Sequence, residues 1–508
     1  MGHRLACLAC IGLVACGSRS RQVGADSDVD SDADTDGTDD LCGEEPSFEV
    51  GVGAPVPGDV DLLVVVDNSN SMREEQANVT ANLSALLWPL IDPPDDDGDG
   101  VPDWLPAASV HIGVVSTDMG TAGYSVTTCD NAERGDDGVL QNLPSPGIAG
   151  CDATYPKFLT FDPGADPGGI AQDFDCISTL GTGGCGFTQP LAALEKATTV
   201  HSQDGAANHP FLRPDALLAA ILVSDADDCS VLDPTIFSDD GSLGPLSLRC
   251  FENPAMLQPW EEFVPTLLAL KPGQPERVSL SAIVGVPHDL VERSNADLLS
   301  ADVMSTADLD AILADPRMQE RIDDSPEGGG ARLVPSCDVP GLGVASPPRR
   351  IVQAVREVDR AGNLGIVQSI CQADWSDTTE AIARAIGRVV GLGCTPVPLD
   401  GVAGHLDCAL TATLSDGGPC GPGSFEVGRQ DGRTVCQYCQ ALDGSHFATD
   451  FRGTELGACA DSAQSWTYSP AGCGGSGQVL LSPGTEPAPG VTLRMVCTRE
   501  AVPEPDDC

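Results

Sequence analysis

The residues best suited to chemistry are oxygen donors, and they fall in two short segments. Asp67-Asn68-Ser69-Asn70-Ser71 sets a carboxylate and two hydroxyls at alternate positions, directly after the apolar run VDLLVVV. Hard oxygen donors of this kind suit Mg²⁺, Mn²⁺ or Ca²⁺. A helix starting beside the loop would add backbone N–H groups for an anionic ligand. The second segment runs Asp95-Asp96-Asp97-Gly98-Asp99-Gly100-Val101-Pro102-Asp103. Side chains of Asp95, Asp97, Asp99 and Asp103, with the Val101 carbonyl and a turn at Gly100, follow the opening positions of a calcium loop. Its twelfth position is Pro106 rather than a bidentate Glu, and Pro93-Pro94 stand where a helix would have to lead in. A simple Asp-rich Ca²⁺ loop, structural in role, is the expectation there. Catalytic signatures are missing: there is no His-Glu-x-x-His, no Gly-x-Ser-x-Gly, and no phosphate loop closing on Gly-Lys-Ser/Thr. The chain reads as a binding protein and not as an enzyme.

Alternating elements must position those donors. Residues 60–67 form a continuous apolar run, the pattern of a strand buried on both faces. Residues 72–91 carry Val79, Leu83, Leu86, Leu87 and Leu90 at helical spacing. Further strands are expected at 109–116, 217–224, 277–286 and 364–371, and further helices at 189–200, 255–270, 348–360 and 377–391. Such alternation over 59–393 gives an α/β domain with a doubly wound, mostly parallel sheet. In that kind of sheet ligands bind beyond the carboxyl ends of the strands, where the Asp67–Ser71 loop would lie. A Gly-, Pro- and Cys-rich insertion interrupts the pattern at about 120–175. From 394 to 508 the texture changes, with nine of the 21 cysteines set among Gly, Pro and short alternating runs. That segment reads as a separate disulfide-rich module of loops and short β-strands. Cys436-x-x-Cys439 lies in it without the second Cys or His pair that zinc requires, so structural disulfides are expected.

The Asp67-x-Ser69-x-Ser71 loop, set between a buried strand and a helix, resembles the metal-ion-dependent adhesion site of von Willebrand factor A domains. The family adds a Thr from a loop entering a later helix and an Asp closing the fourth strand. Thr188, before PLAALEKA, and Asp225, ending LLAAILVSD, stand at matching places. The resemblance implies that Ser69, Ser71 and Thr188 offer hydroxyl oxygens to Mg²⁺ or Mn²⁺, while Asp67 and Asp225 bind directly or through water. It implies a protein ligand whose acidic side chain completes the shell. The segments ISTLGTGGCGFTQPLAALEKA and ILVSDADDCS are similar to a bacterial secreted subgroup of the family, although Ala226 stands where that subgroup commonly carries an acid. The Asp95–Asp103 segment is similar to EF-hand and thrombospondin type 3 loops, in its early positions only.

The chain's first residues suggest an address. MGHRLACLACIGLVAC resembles a bacterial lipoprotein signal, with Leu13-Val14-Ala15 preceding a Cys16 that would carry the lipid. Its apolar run is too short to span a bilayer, so acyl chains would be the only membrane anchor. Gly17 in place of Asp omits the known inner-membrane retention signal and favours the outer membrane. Residues 17–58 follow as a tether built around the self-repelling DSDVDSDADTDGTDD. With 76 acidic against 26 basic residues and a net charge of -50, a nucleic-acid partner is excluded. A bound cation would still reverse the sign locally and admit an acidic ligand. Twenty-one cysteines suit an oxidising compartment. Setting aside Cys7, Cys10 and Cys16 leaves nine from Cys42 to Cys371 and nine from Cys394 to Cys508, so full pairing needs a bridge across that line. Two other readings compete: an envelope protein using the domain as a metal-free scaffold, and a metal-assisted hydrolase.

Overall fold

A computed structural model describes residues 47–50, 58–93, 106–390 and 408–497, less some internal stretches, the longest being 293–303, 324–330, 448–465, 470–477 and 482–492. The Cys16 lipidation site, residues 17–46 of the tether and the Asp95–Asp103 calcium loop lie outside the described residues.

Strands β1 (Ser47–Val50), β2 (Asp59–Val66), β3 (Ser109–Ser116), β4 (Leu159–Phe161), β5 (Leu217–Ser224) and β6 (Val278–Val284) come first along the chain. Two short antiparallel pairs follow, β7 (Ile322–Asp323) with β8 (Arg332–Leu333) and β9 (Cys337–Val339) with β10 (Gly343–Ala345). After them comes β11 (Leu364–Ser369). One six-stranded sheet takes the order β4-β3-β2-β5-β6-β11, parallel throughout except for the edge strand β4. Its centre is parallel because DVDLLVVV and LLAAILVS are apolar almost end to end and can be covered on both faces. Val60, Leu62, Val64 and Val66 enter one core, shared with the helices Gln76–Asn82, Pro167–Ser178 and Ser376–Val390. Leu63 and Val65 point the other way, into a core shared with Pro190–Thr198, Trp260–Leu268, Thr306–Ala314 and Arg349–Arg360. Counted within this sheet the strand order is 3-2-1-4-5-6. The chain therefore leaves β2 to one side and leaves β5 to the other, which opens a crevice between their carboxyl ends.

Several local departures from the sequence expectation have physical causes. The helix expected over 72–91 is broken into a 3₁₀ turn at Asn70–Arg73, a helix at Gln76–Asn82, a second 3₁₀ turn at Leu83–Leu86 and a last turn at Trp88–Ile91. Pro89 lacks an N–H and starts a new turn rather than continuing the old one. The helix Thr306–Ala314 is not among the helices expected from the sequence, and its capping box of Ser305 and Asp308 sets its start. The insertion at about 120–175 is not external to the sheet, since it supplies β4 and the first turns of Pro167–Ser178. Ser47–Val50, read as the end of the tether, is a strand.

Beyond residue 407 lie β12 (Cys408–Leu414), β13 (Ser424–Gln430), β14 (Arg433–Tyr438), β15 (Gln440–Leu442), β16 (Ser445–Phe447), β17 (Trp466–Ser469), β18 (Gln478–Leu481) and β19 (Leu493–Cys497). They form two sheets, and β1 pairs antiparallel with β19 at the edge of the first. Cys408–Cys497 and Cys420–Cys436 staple that sheet. Cys436 thus pairs with Cys420 and not with Cys439, which is itself disulfide-bonded. In the α/β region the bridges are Cys129–Cys185, Cys151–Cys176, Cys229–Cys250 and Cys337–Cys371. They use every cysteine from Cys129 to Cys371, and Cys42 lies outside the described residues. Among the described residues no helix is long and apolar enough to cross a membrane.

Candidate metal centre

Val66 of β2 lies beside Val223 of β5, so the residues that follow these two strands emerge together. Asp67 N donates to Val223 O at 2.8 Å, which carries the ladder one residue past β2. The Asp67 side chain is fully buried. Its Oδ2 accepts the Ser224 hydroxyl at 2.6 Å, while Oδ1 accepts Ser69 N at 2.8 Å and Thr117 Oγ1 at 3.4 Å. Hydroxyls then cross the crevice. Ser69 Oγ and Ser71 Oγ are 2.9 Å apart, and Ser71 Oγ donates to Asp225 Oδ1 at 3.1 Å. Asp67, Ser69, Ser71 and Asp225 thereby make one continuous set. Ser71 is exposed whereas the other three are buried, so the set meets solvent at Ser71.

Thr188 stands at the same end of the sheet, with its hydroxyl on a backbone carbonyl two residues beyond Asp225. Its Oγ1 donates to Asp227 O at 3.2 Å, and its own carbonyl accepts Cys229 N at 2.8 Å. The loop carrying it is held to the site by Gly184 N on Asn68 O at 2.8 Å and Gln189 N on Thr117 O at 3.1 Å. The Cys129–Cys185 disulfide fastens the same loop from outside. Gly184 is required for that approach, because a Cβ there would lie 2.0 Å from Asn68 Oδ1.

Charge at the site is one-sided. Burial pushes the Asp225 carboxyl well above its ordinary range, and the negative charges of Asp67 and Glu75 push it further against the Ser71 hydrogen bond. Asp67 is raised by burial against hydrogen bonds from Ser224, Ser69 and Thr117. Glu75, only 1 % exposed, is also raised by burial, with Glu74 and Asp67 adding to it. No basic side chain figures among the main influences on any of the three. Buried carboxylates require a counter-charge or a metal to be tolerated as anions. The donors, carboxylates with hydroxyls, fit a hard divalent cation. No group of three or more His, Cys, Asp or Glu arranged to hold a metal occurs among the described residues, so an ion here would depend on the serine hydroxyls as well as the acids.

Three residues at the site were not singled out from sequence. Ser224 and Thr117 anchor Asp67, and both follow from strand adjacency: Ser224 ends β5 and Thr117 is the first residue after β3. Glu75 is the third. The Glu74-Glu75 pair shows acids near the loop, but only the local backbone phase buries Glu75 and leaves Glu74 exposed.

No family model matches the chain, and no curated protein matches it. Among solved structures, the pilus adhesin RrgA of Streptococcus pneumoniae is similar at 11% identity, over 91% of this chain and 59% of that chain, with a TM-score of 0.18. The present chain therefore spans 59% of that adhesin's length, and a superposition this loose carries no argument about fold or function.

Proposed function

We propose that the chain is a lipid-anchored surface protein that binds a protein ligand through a divalent cation, Mg²⁺ or Mn²⁺, held by Asp67, Ser69, Ser71 and Asp225 with Thr188 close by. In this reading the α/β domain is a doubly wound domain of the von Willebrand factor A type. The observation that carries it is the continuous set Asp67–Ser69–Ser71–Asp225, whose buried carboxylates have no basic side chain among their main influences within the described residues. The 3-2-1-4-5-6 strand order supports it, because β2 and β5 flank the switch point where such sheets bind ligands. The ion would supply positive charge on a chain of net charge -50, and an acidic side chain of the partner would reach it past the exposed Ser71. Ca²⁺ on the Asp95–Asp103 loop would stiffen the approach to β3. The reading assigns no reaction to the site.

Calorimetric titration of Mn²⁺ into the purified chain and into Asp67→Ala tests it. The expected result is one binding step in the wild type that is missing from the variant. Identical titrations of the two proteins would end the adhesion mechanism.

A further inference from the structure

Glu75 is not part of the set that bridges the crevice, yet it is nearly as closed to solvent as Asp67. It lies between the turn Asn70–Arg73 and the helix Gln76–Asn82. One of its oxygens, Oε1, accepts Val344 N at 3.0 Å; the other, Oε2, is buried with no hydrogen-bond partner. Gly343 admits the carboxylate, since a Cβ there would come within 2.7 Å of Oε1. Val344 belongs to β10, and two residues on Ser346 N donates to Asp225 O at 2.9 Å. The β9–β10 hairpin thus grips the site at two points, the Glu75 carboxylate and the Asp225 carbonyl. Its other side is anchored independently by the Cys337–Cys371 disulfide and by Ser336 Oγ donating to Gly285 O. The Val344 side chain itself stands 40% exposed.

We propose that Glu75 is a positioning residue that couples the cation to the β9–β10 hairpin: the ion draws in the free Oε2 through one of its waters, while Oε1 holds Val344. This rests on the cation reading above. Without a cation, Glu75, Asp67 and Asp225 repel one another, so the carboxylate that holds Val344 is itself held loosely. With the ion bound, both oxygens have partners and the hairpin is fixed. Val344 is then presented in one place beside the cation, as a small apolar contact for the ligand.

Hydrogen exchange at the Val344 and Ser346 amides, with and without Mn²⁺, reads this coupling. In the wild type Mn²⁺ should slow exchange at both. Glu75→Gln keeps an acceptor for Val344 but loses the charge. It should bind Mn²⁺ about 10-fold more weakly, the size of effect usual for a residue one step removed from a metal. At saturating Mn²⁺ its Val344 amide should gain no protection. Val344→Pro deletes the N–H from the other side with Glu75 intact; it should keep wild-type Mn²⁺ affinity within about 3-fold, less than such residues usually contribute, and lose the protection at Ser346. Wild-type affinity together with wild-type protection in Glu75→Gln would overturn the coupling and leave the cation site standing. Failure of the wild type to bind Mn²⁺ in the parallel titration would overturn both.

Discussion

Asp225→Asn should stabilise the protein without metal and destabilise it, relative to wild type, with metal. Asp225 is 4% exposed and its carboxyl is pushed well above its usual range by burial and by Asp67 and Glu75. Asparagine keeps the shape and an oxygen for the Ser71 hydroxyl, which now stands 3.1 Å from Oδ1. What it removes is an acid that, without metal, must either stay charged with no counter-charge or take up a proton that it would not hold in the unfolded chain. Leaving a buried polar group uncompensated costs about 1–3 kcal/mol, and more when it is charged, so the variant should gain roughly that much in EDTA. Cation binding works in the opposite direction. At a Mn²⁺ concentration 1,000-fold above Kd, a single site adds about 4 kcal/mol to the wild type. Asp225→Asn loses most of that gain, so the order of stabilities reverses. Denaturant unfolding at neutral pH, in EDTA and in excess Mn²⁺, measures both halves. A variant weaker than wild type in EDTA would show that Asp225 is compensated within the protein, and the electrostatic case for a cation would fail. Equal Mn²⁺ stabilisation of the two proteins would fail it just as clearly.

Three further outcomes follow from particular contacts. Gly184→Ala drives a Cβ into Asn68 Oδ1, so the loop must retreat; a loss of about 1–3 kcal/mol in unfolding free energy, together with weaker Mn²⁺ binding by calorimetry, is expected. Lys271 is fully buried, 3.9 Å from Asp61, and burial lowers its pKa to about 8. Between about 8 and the unfolded value near 10.4 the unfolded state holds the extra proton, so stability should rise with pH by at most ~3 kcal/mol, a slope that Lys271→Met should lack in denaturant titrations. Replacing Cys408 and Cys497 together by Ser opens a loop of 89 residues and should cost the C-terminal sheet about 2–5 kcal/mol, read by its melting, while Mn²⁺ titration of the chain is unchanged.

Legibility in the sequence tracked burial on two faces. The apolar run 217–224 became a strand over those same residues, because a strand covered on both sides has no polar alternation to blur its ends, and the less uniform 109–116 did so as well. The amphipathic helices Arg349–Arg360 and Pro190–Thr198 were equally plain. Elements whose start comes from local capping were not: Thr306–Ala314 begins where Ser305 and Asp308 meet reciprocally, a contact that no apolar spacing announces. At the site, Asp67, Ser69 and Ser71 were visible as a spacing. Asp225 came from resemblance, and the chain of hydroxyls joining all four needed the parallel register of β2 with β5. Thr188 shows the converse, for a residue can occupy the matching place and still direct its hydroxyl to Asp227 O. Glu75 was out of reach, since its partner Val344 is 269 residues away in sequence.

The placement of the disulfides bears on why such a site can persist in a folded chain. Buried acids that repel one another push apart the loops that carry them, and those loops lie at the end of the sheet where backbone pairing has stopped. Three of the four bridges in the α/β region fasten those loops. Cys129–Cys185 holds the Thr188 loop, Cys229–Cys250 holds the segment just after Asp225, and Cys337–Cys371 holds the hairpin that touches both Glu75 and Asp225. A cross-link acts mainly on the unfolded chain and so raises the stability of whatever arrangement the native fold imposes. Bridges set around the crevice can therefore sustain carboxylates in a geometry that unaided loops would relax, and under the proposed cation reading they would hold the ligands in place before the ion arrives.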